Sequence, residues 1–79
     1  MTPCRLCGRP STDTHHLMDG YNRRLAEEDG LVMRLCRNCH VRVHADADLR
    51  NSLKAEAQRI YERTHSHEEW MQRYGRNYL

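Results

Sequence analysis

Two Cys-x-x-Cys pairs, Cys4/Cys7 and Cys36/Cys39, constrain this chain more tightly than any hydrophobic pattern in it. The chain has 79 residues, no Phe and a single Trp, so apolar material is scarce. A core in so short a chain rarely supplies more than about 3 to 5 kcal/mol by itself. A staple is required, and disulfides and zinc are the candidates. Disulfides need an oxidising compartment. The start, Met1-Thr2-Pro3-Cys4, carries neither a basic segment nor an apolar one, and no stretch approaches the roughly 20 apolar residues of a membrane span. The expectation is a cytoplasmic protein with no membrane association and reduced cysteines. Four thiolates at this spacing suit a closed, tetrahedral structural zinc, which can contribute about 10 to 16 kcal/mol to folding at neutral pH.

The length predicts one domain, residues 1–79, with zinc knuckles and a histidine-bearing motif in 1–45 and a helical extension in 46–79. A formal charge of +2 does not announce a nucleic-acid binder. The kind of base is more telling, since twelve of the thirteen basic residues are Arg and only Lys54 is Lys. Arg offers a rigid fork that matches phosphate bidentately, although a GC-rich coding sequence would produce the same bias.

Residues 1–10 read as the first knuckle, with Gly8 turning the backbone toward the sulfurs. Ser11 to Leu17 reads as a short strand carrying His15 and His16, and Asp19-Gly20 as a turn. Asn22 to Asp29 reads as a short helix or ordered loop stopped by Gly30. Leu31 to Leu35 is the clearest strand, delivering Cys36 at its end. Past Cys39, His40 and His44 stand four apart and share one face of a helix. Asp46 caps a longer helix with Leu49, Leu53, Ala57, Ile60 and Tyr61 inward and Arg50, Lys54, Glu56, Arg59 and Glu62 toward water. Ser66-His67-Glu68-Glu69 has the capping-box pattern. It opens a last helix with Trp70, Met71 and Tyr74 inward and Gly75 as its stop.

A treble-clef or ribbon zinc module needs only about 15 to 20 residues between its cysteine pairs. Here the interval is longer and holds both His15 and His16, while the second pair runs directly into His40. Taken together, Cys4-x-x-Cys7, Thr14-His15-His16-Leu17 and Leu35-Cys36-Arg37-Asn38-Cys39-His40 followed by Val43-His44 resemble the HNH endonucleases of the ββα-metal type. The small phage and prophage forms are the nearest in pattern. Gly20-Tyr21-Asn22-Arg23, Leu53-Lys54-x-x-x-Gln58 and Tyr74-Gly75-Arg76-Asn77-Tyr78-Leu79 are similar to one phage subgroup, so the resemblance spans nearly the whole chain.

The resemblance implies a small α+β zinc-stabilised domain, with a ββα-metal core and C-terminal helices. It implies hydrolysis of phosphodiester bonds in nucleic acid, with double-stranded DNA as the expected partner. In that family the first motif supplies a metal ligand followed at once by the general base, which assigns ligation to His15 and catalysis to His16. On a strand, adjacent side chains point to opposite faces, so the two roles can be separated. His40 corresponds to the ligand after the last knuckle cysteine. His44 completes a three-histidine set, as in bacterial toxin nucleases of this fold. The family more often has Asp where His15 stands. The ion is accordingly open among Mg2+, Mn2+, Ni2+, Co2+ and Zn2+, with His shifting the choice toward transition ions.

The family's middle Asn falls on Leu31. Asn22 and Asn38 are the replacements, and Asn22 is preferred from Gly20-x-Asn22-Arg23 as a loop-shaping member of the catalytic set. Arg23, Arg24 and Arg42 are the candidates for phosphate contact. His65 and His67, beside a helix cap, read as surface residues, and Trp70, Tyr74 and Tyr78 as packing. The competing reading is a non-catalytic zinc module that binds nucleic acid or protein. A redox dithiol protein is disfavoured, because neither cysteine pair opens a helix in a βαβ context. The sequence sets no oligomeric state.

Overall fold

A computed structural model describes residues 2–79, and three of its helices start at a side-chain cap. The first knuckle is a tight loop closed by an antiparallel bridge between Pro3 and Pro10. The Cys4 amide donates to the Arg9 carbonyl at 2.6 Å and the Gly8 amide to the Cys4 carbonyl at 2.9 Å. Gly8 has φ +80°, a left-handed conformation that favours glycine.

Strand β1 (Asp13–His16) pairs antiparallel with β2 (Val32–Leu35), setting Asp13 opposite Leu35 and His15 opposite Met33. Both strands are shorter than the sequence pattern suggests. Leu31 lies just before β2, fully buried, and its amide and carbonyl bond Ala26 and Leu17 at 2.8 and 2.9 Å. Between the strands run a 3-10 turn (Gly20–Asn22) and helix α1 (Arg23–Glu28).

Helix α2 (Arg37–Ala45) begins inside the second knuckle, with Cys36 as its N-cap accepting from the Cys39 amide. The knuckle is thus a strand-to-helix junction. Asp46 caps α3 (Ala47–Tyr61) by accepting from the Leu49 amide at 3.1 Å, as expected. Ser66 and Glu69 form the full capping box of α4 (His67–Tyr74), and Gly75 ends that helix at φ +77°.

One core cluster joins the parts, with Leu17, Met18, Leu35, Val43, Ala57 and Trp70 almost completely enclosed. The fold is a small α+β arrangement of one two-stranded sheet and four helices. Two α3 residues depart from the helical pattern. Lys54 faces Asp19 at 3.2 Å rather than open water, and its side chain is 15% exposed. Gln58 is fully buried and bonds Glu62, Asn77 and the Tyr78 amide, at 2.7, 2.9 and 2.7 Å. It fastens the tail after Gly75 to α3. The same C-terminal end of α4 is also tied to the end of α1, where Asp29 accepts from Arg73 at 2.6 Å and from the Tyr74 hydroxyl. No helix among the described residues is long and apolar enough to cross a membrane.

Candidate metal centres

The four cysteines converge although the two pairs come from separate parts of the chain. None is in a disulfide, and their sulfurs lie within 4.8 Å of one another. The Sγ atoms of Cys7 and Cys36 are 3.7 Å apart. Two thiolates on a tetrahedral ion with bonds of about 2.3 Å subtend about that distance. The thiols are also electrostatically uneven. Burial pushes Cys4 up, but the backbone amides of Cys36, Leu6 and Cys7 outweigh it and bring the group down to about 6. Burial and the neighbouring sulfurs push Cys39 up to about 12. Four crowded sulfurs resist full ionisation by themselves, and a divalent cation among them removes that resistance. The cluster can hold a structural metal ion.

The second centre forms where β1 crosses α2. One ring nitrogen each from His15, His40 and His44 lies within 4.8 Å of the other two. The i,i+4 spacing on α2 brings the Nε2 atoms of His40 and His44 to 3.2 Å. Ion bonds of about 2.0 to 2.1 Å at that separation enclose an angle of about 100°, close to tetrahedral. His15 is 6% exposed. Burial, reinforced by the nearby His40, His44 and His16, lowers it to about 4. It is therefore neutral near pH 7, the form in which imidazole ligates a metal. The donor set fits a divalent transition ion.

These histidines line a depression of about 200 Å³ together with Thr14, His16, Met18, Asp19, Gly20 and Arg23. His16 is the last residue of β1 and opens into the same depression as His15. Its Nε2 is 3.4 Å from Glu27 of α1.

The other candidates sit apart. Arg24 lines a separate shallow surface with Tyr21 and pairs with Glu28 at 3.4 Å. Arg42 is exposed, about 200° around α2 from both histidines, given 100° per residue. The Asn22 side chain does not line the depression; it donates to the Tyr74 carbonyl at 3.3 Å, joining the start of α1 to the end of α4. His65 and His67 are exposed, with His65 stacked on Tyr61 and His67 at 3.0 Å from Glu62.

Three acidic residues at the site escape sequence reasoning. Glu27 and Asp19 lie in segments read as a short helix or ordered loop and as a turn, and neither reading marks a partner for their carboxylates. Asp13 was legible in principle, because it shares a strand face with His15 two residues away. Comparison of the chain with protein families, curated proteins and solved structures found no match.

Proposed function

We propose that this chain is a metal-dependent endonuclease of the HNH type, hydrolysing phosphodiester bonds of nucleic acid, with double-stranded DNA as its expected substrate. Cys4, Cys7, Cys36 and Cys39 hold a structural zinc, and His15, His40 and His44 hold the catalytic divalent ion. The observation that carries the reading is the convergence of three imidazoles within 4.8 Å beside a fourth, His16, in one depression. A hairpin followed directly by a histidine-bearing helix supports it as well. Neutral nitrogen donors suit Zn2+, Ni2+, Co2+ or Mn2+ better than Mg2+, which prefers oxygen.

When bound, the ion supplies charge stabilisation for the phosphate and the departing 3′ oxygen. The chain's own residues do the rest. His16 takes the proton of the attacking water. Glu27, accepting from Nε2, leaves Nδ1 as the basic nitrogen. Arg23 lines the depression and forms no ion pair among the described residues, so its guanidinium is free to grip the scissile phosphate. Arg24 lies farther out, where it can contact a flanking phosphate, while Arg42, on the far side of α2 from the histidines, is not placed to reach the scissile one. The products are a 5′ phosphate and a 3′ hydroxyl.

A non-catalytic zinc module would account for the cysteines and leave the three-histidine convergence without a role. Supercoiled plasmid incubated with the protein and each of these divalent ions should be nicked or linearised, and His16→Ala should abolish the cutting. Intact plasmid under every ion, or unchanged cutting by His16→Ala, would reject the reading.

A further inference from the structure

His40 contacts the Asp13 carboxylate through Nδ1 at 2.8 Å, and the hydrolysis scheme above makes no use of that contact. Asp13 sits in β1 with its side chain 10% exposed. It is held from several sides. The Thr12 hydroxyl donates to one carboxylate oxygen at 2.9 Å, and the Arg37 guanidinium reaches both oxygens at 3.2 and 3.3 Å.

An ionised carboxylate only accepts. With a single ring proton on His40, that proton therefore lies on Nδ1, which leaves the Nε2 lone pair facing His44 at 3.2 Å. His44 has no carboxylate partner among the described residues, so its ring is not fixed in the same way. The ligand set is asymmetric, with one imidazole locked in advance and one free to adjust.

We propose that Asp13 is a positioning residue that fixes the tautomer and ring orientation of His40, preorganising the three-histidine set for a divalent transition ion. This rests on the metal-binding half of the reading above and not on hydrolysis. Without the carboxylate, His40 must choose its tautomer and surrender its rotation when the ion arrives. Loss of such an outer partner typically weakens metal binding about 10- to 100-fold. A purely structural alternative is that Asp13 serves to pair with Arg37 and hold β1 against α2.

The test uses full-length protein with zinc already on the cysteines, titrated calorimetrically with Co2+, alongside nitrogen NMR of the ring tautomers before Co2+ is added. Wild type should bind one Co2+ and show His40 protonated at Nδ1. Asp13→Ala should bind Co2+ about 10- to 100-fold more weakly and show His40 shifting toward the Nε2-protonated form, with cysteine-bound zinc retained. Asp13→Asn keeps an acceptor oxygen and should preserve the tautomer and recover most of the affinity. Arg37→Ala, which removes a largely exposed partner and leaves the Asp13–His40 contact in place, should stay within about threefold of wild type. Should Asp13→Ala not fold, Asp13→Thr, a strand-favouring residue too short to reach His40, is read the same way. Wild-type affinity or an unchanged tautomer in the folded variant would overturn the role of Asp13. Equal weakening by Arg37→Ala would favour the structural alternative and overturn it too. No Co2+ bound by wild type would overturn both this inference and the metal site beneath it.

Discussion

The Nε2 atoms of His40 and His44, one helical turn apart on α2, stand 3.2 Å from each other. Two neutral imidazoles can meet so closely only if one donates a proton to the other or if a cation lies between them. The helix that carries them begins at Cys36, so a single strand-to-helix junction positions both candidate ligand clusters. A change at that junction is expected to reach both clusters, whereas a change at either histidine-bearing element alone should not.

Replacement of Cys36 or Cys39 by Ser should abolish zinc binding and cooperative folding. The proposed zinc contributes about 10 to 16 kcal/mol, more than a core this small can replace. Metal analysis and a thermal melt check it. A folded, zinc-free variant with a wild-type melt would refute the structural role.

His15→Ala and His16→Ala should fail in different ways. The first should weaken divalent binding, with activity partly restored at higher ion concentration. The second should keep near-normal ion affinity and lose turnover by about 100- to 10,000-fold, the usual contribution of a general base. Calorimetry paired with plasmid cleavage distinguishes them. Equal loss of ion binding in both would make the two histidines a joint ligand set.

His15 makes stability depend on pH in a defined direction. Its folded value, about 4, lies below the ordinary histidine value of about 6.5. Protonation thus favours the unfolded chain. The stabilising effect is complete above about pH 6.5 and is lost as pH falls toward 4, with a limit on the order of 3 kcal/mol. Urea titrations of zinc-loaded protein without a second ion, between pH 5 and 7, should show wild type losing more stability than His15→Asn. Parallel losses would remove the burial argument, since proton competition at the cysteines is common to both.

Asn22→Ala should loosen the joint between α1 and α4 by about 1 kcal/mol, the usual worth of one hydrogen bond. We expect slower plasmid cleavage with unchanged zinc content. Asn38→Ala, on the exposed side of α2, should have little effect. If Asn38→Ala proves the damaging change, the loop role assigned to Asn22 is wrong.

Gln58→Ala should cost about 2 to 4 kcal/mol, because a fully buried side chain loses three hydrogen bonds worth about 1 kcal/mol each. Hydrogen exchange at the Tyr78 amide, which Gln58 accepts at 2.7 Å, should accelerate while amides of β1 and β2 change less. Uniform acceleration through the whole chain would mean that the tail is not separately fastened.

The capping signals and the histidine spacing were legible in the sequence because they act over three or four residues. Asp46, Ser66 with Glu69 and Gly75 each satisfy backbone groups of an adjacent turn, so local geometry alone decides their work. The pairing of His40 with His44 follows equally from the helical repeat. The two cysteine pairs announced their convergence because a tetrahedral ion demands four ligands, wherever they lie along the chain.

Tertiary packing decided what such periods cannot reach. Asp13 meets His40 across 27 positions, and Asn22 meets the Tyr74 carbonyl across 52. Lys54, read toward water, is drawn to Asp19, and Gln58, which the pattern gave no face, is sealed beneath the tail. A polar side chain far from its partner in sequence carries no mark of that partner. Its environment is fixed only when burial of the apolar faces brings separate elements together and leaves each enclosed polar group to find a hydrogen bond.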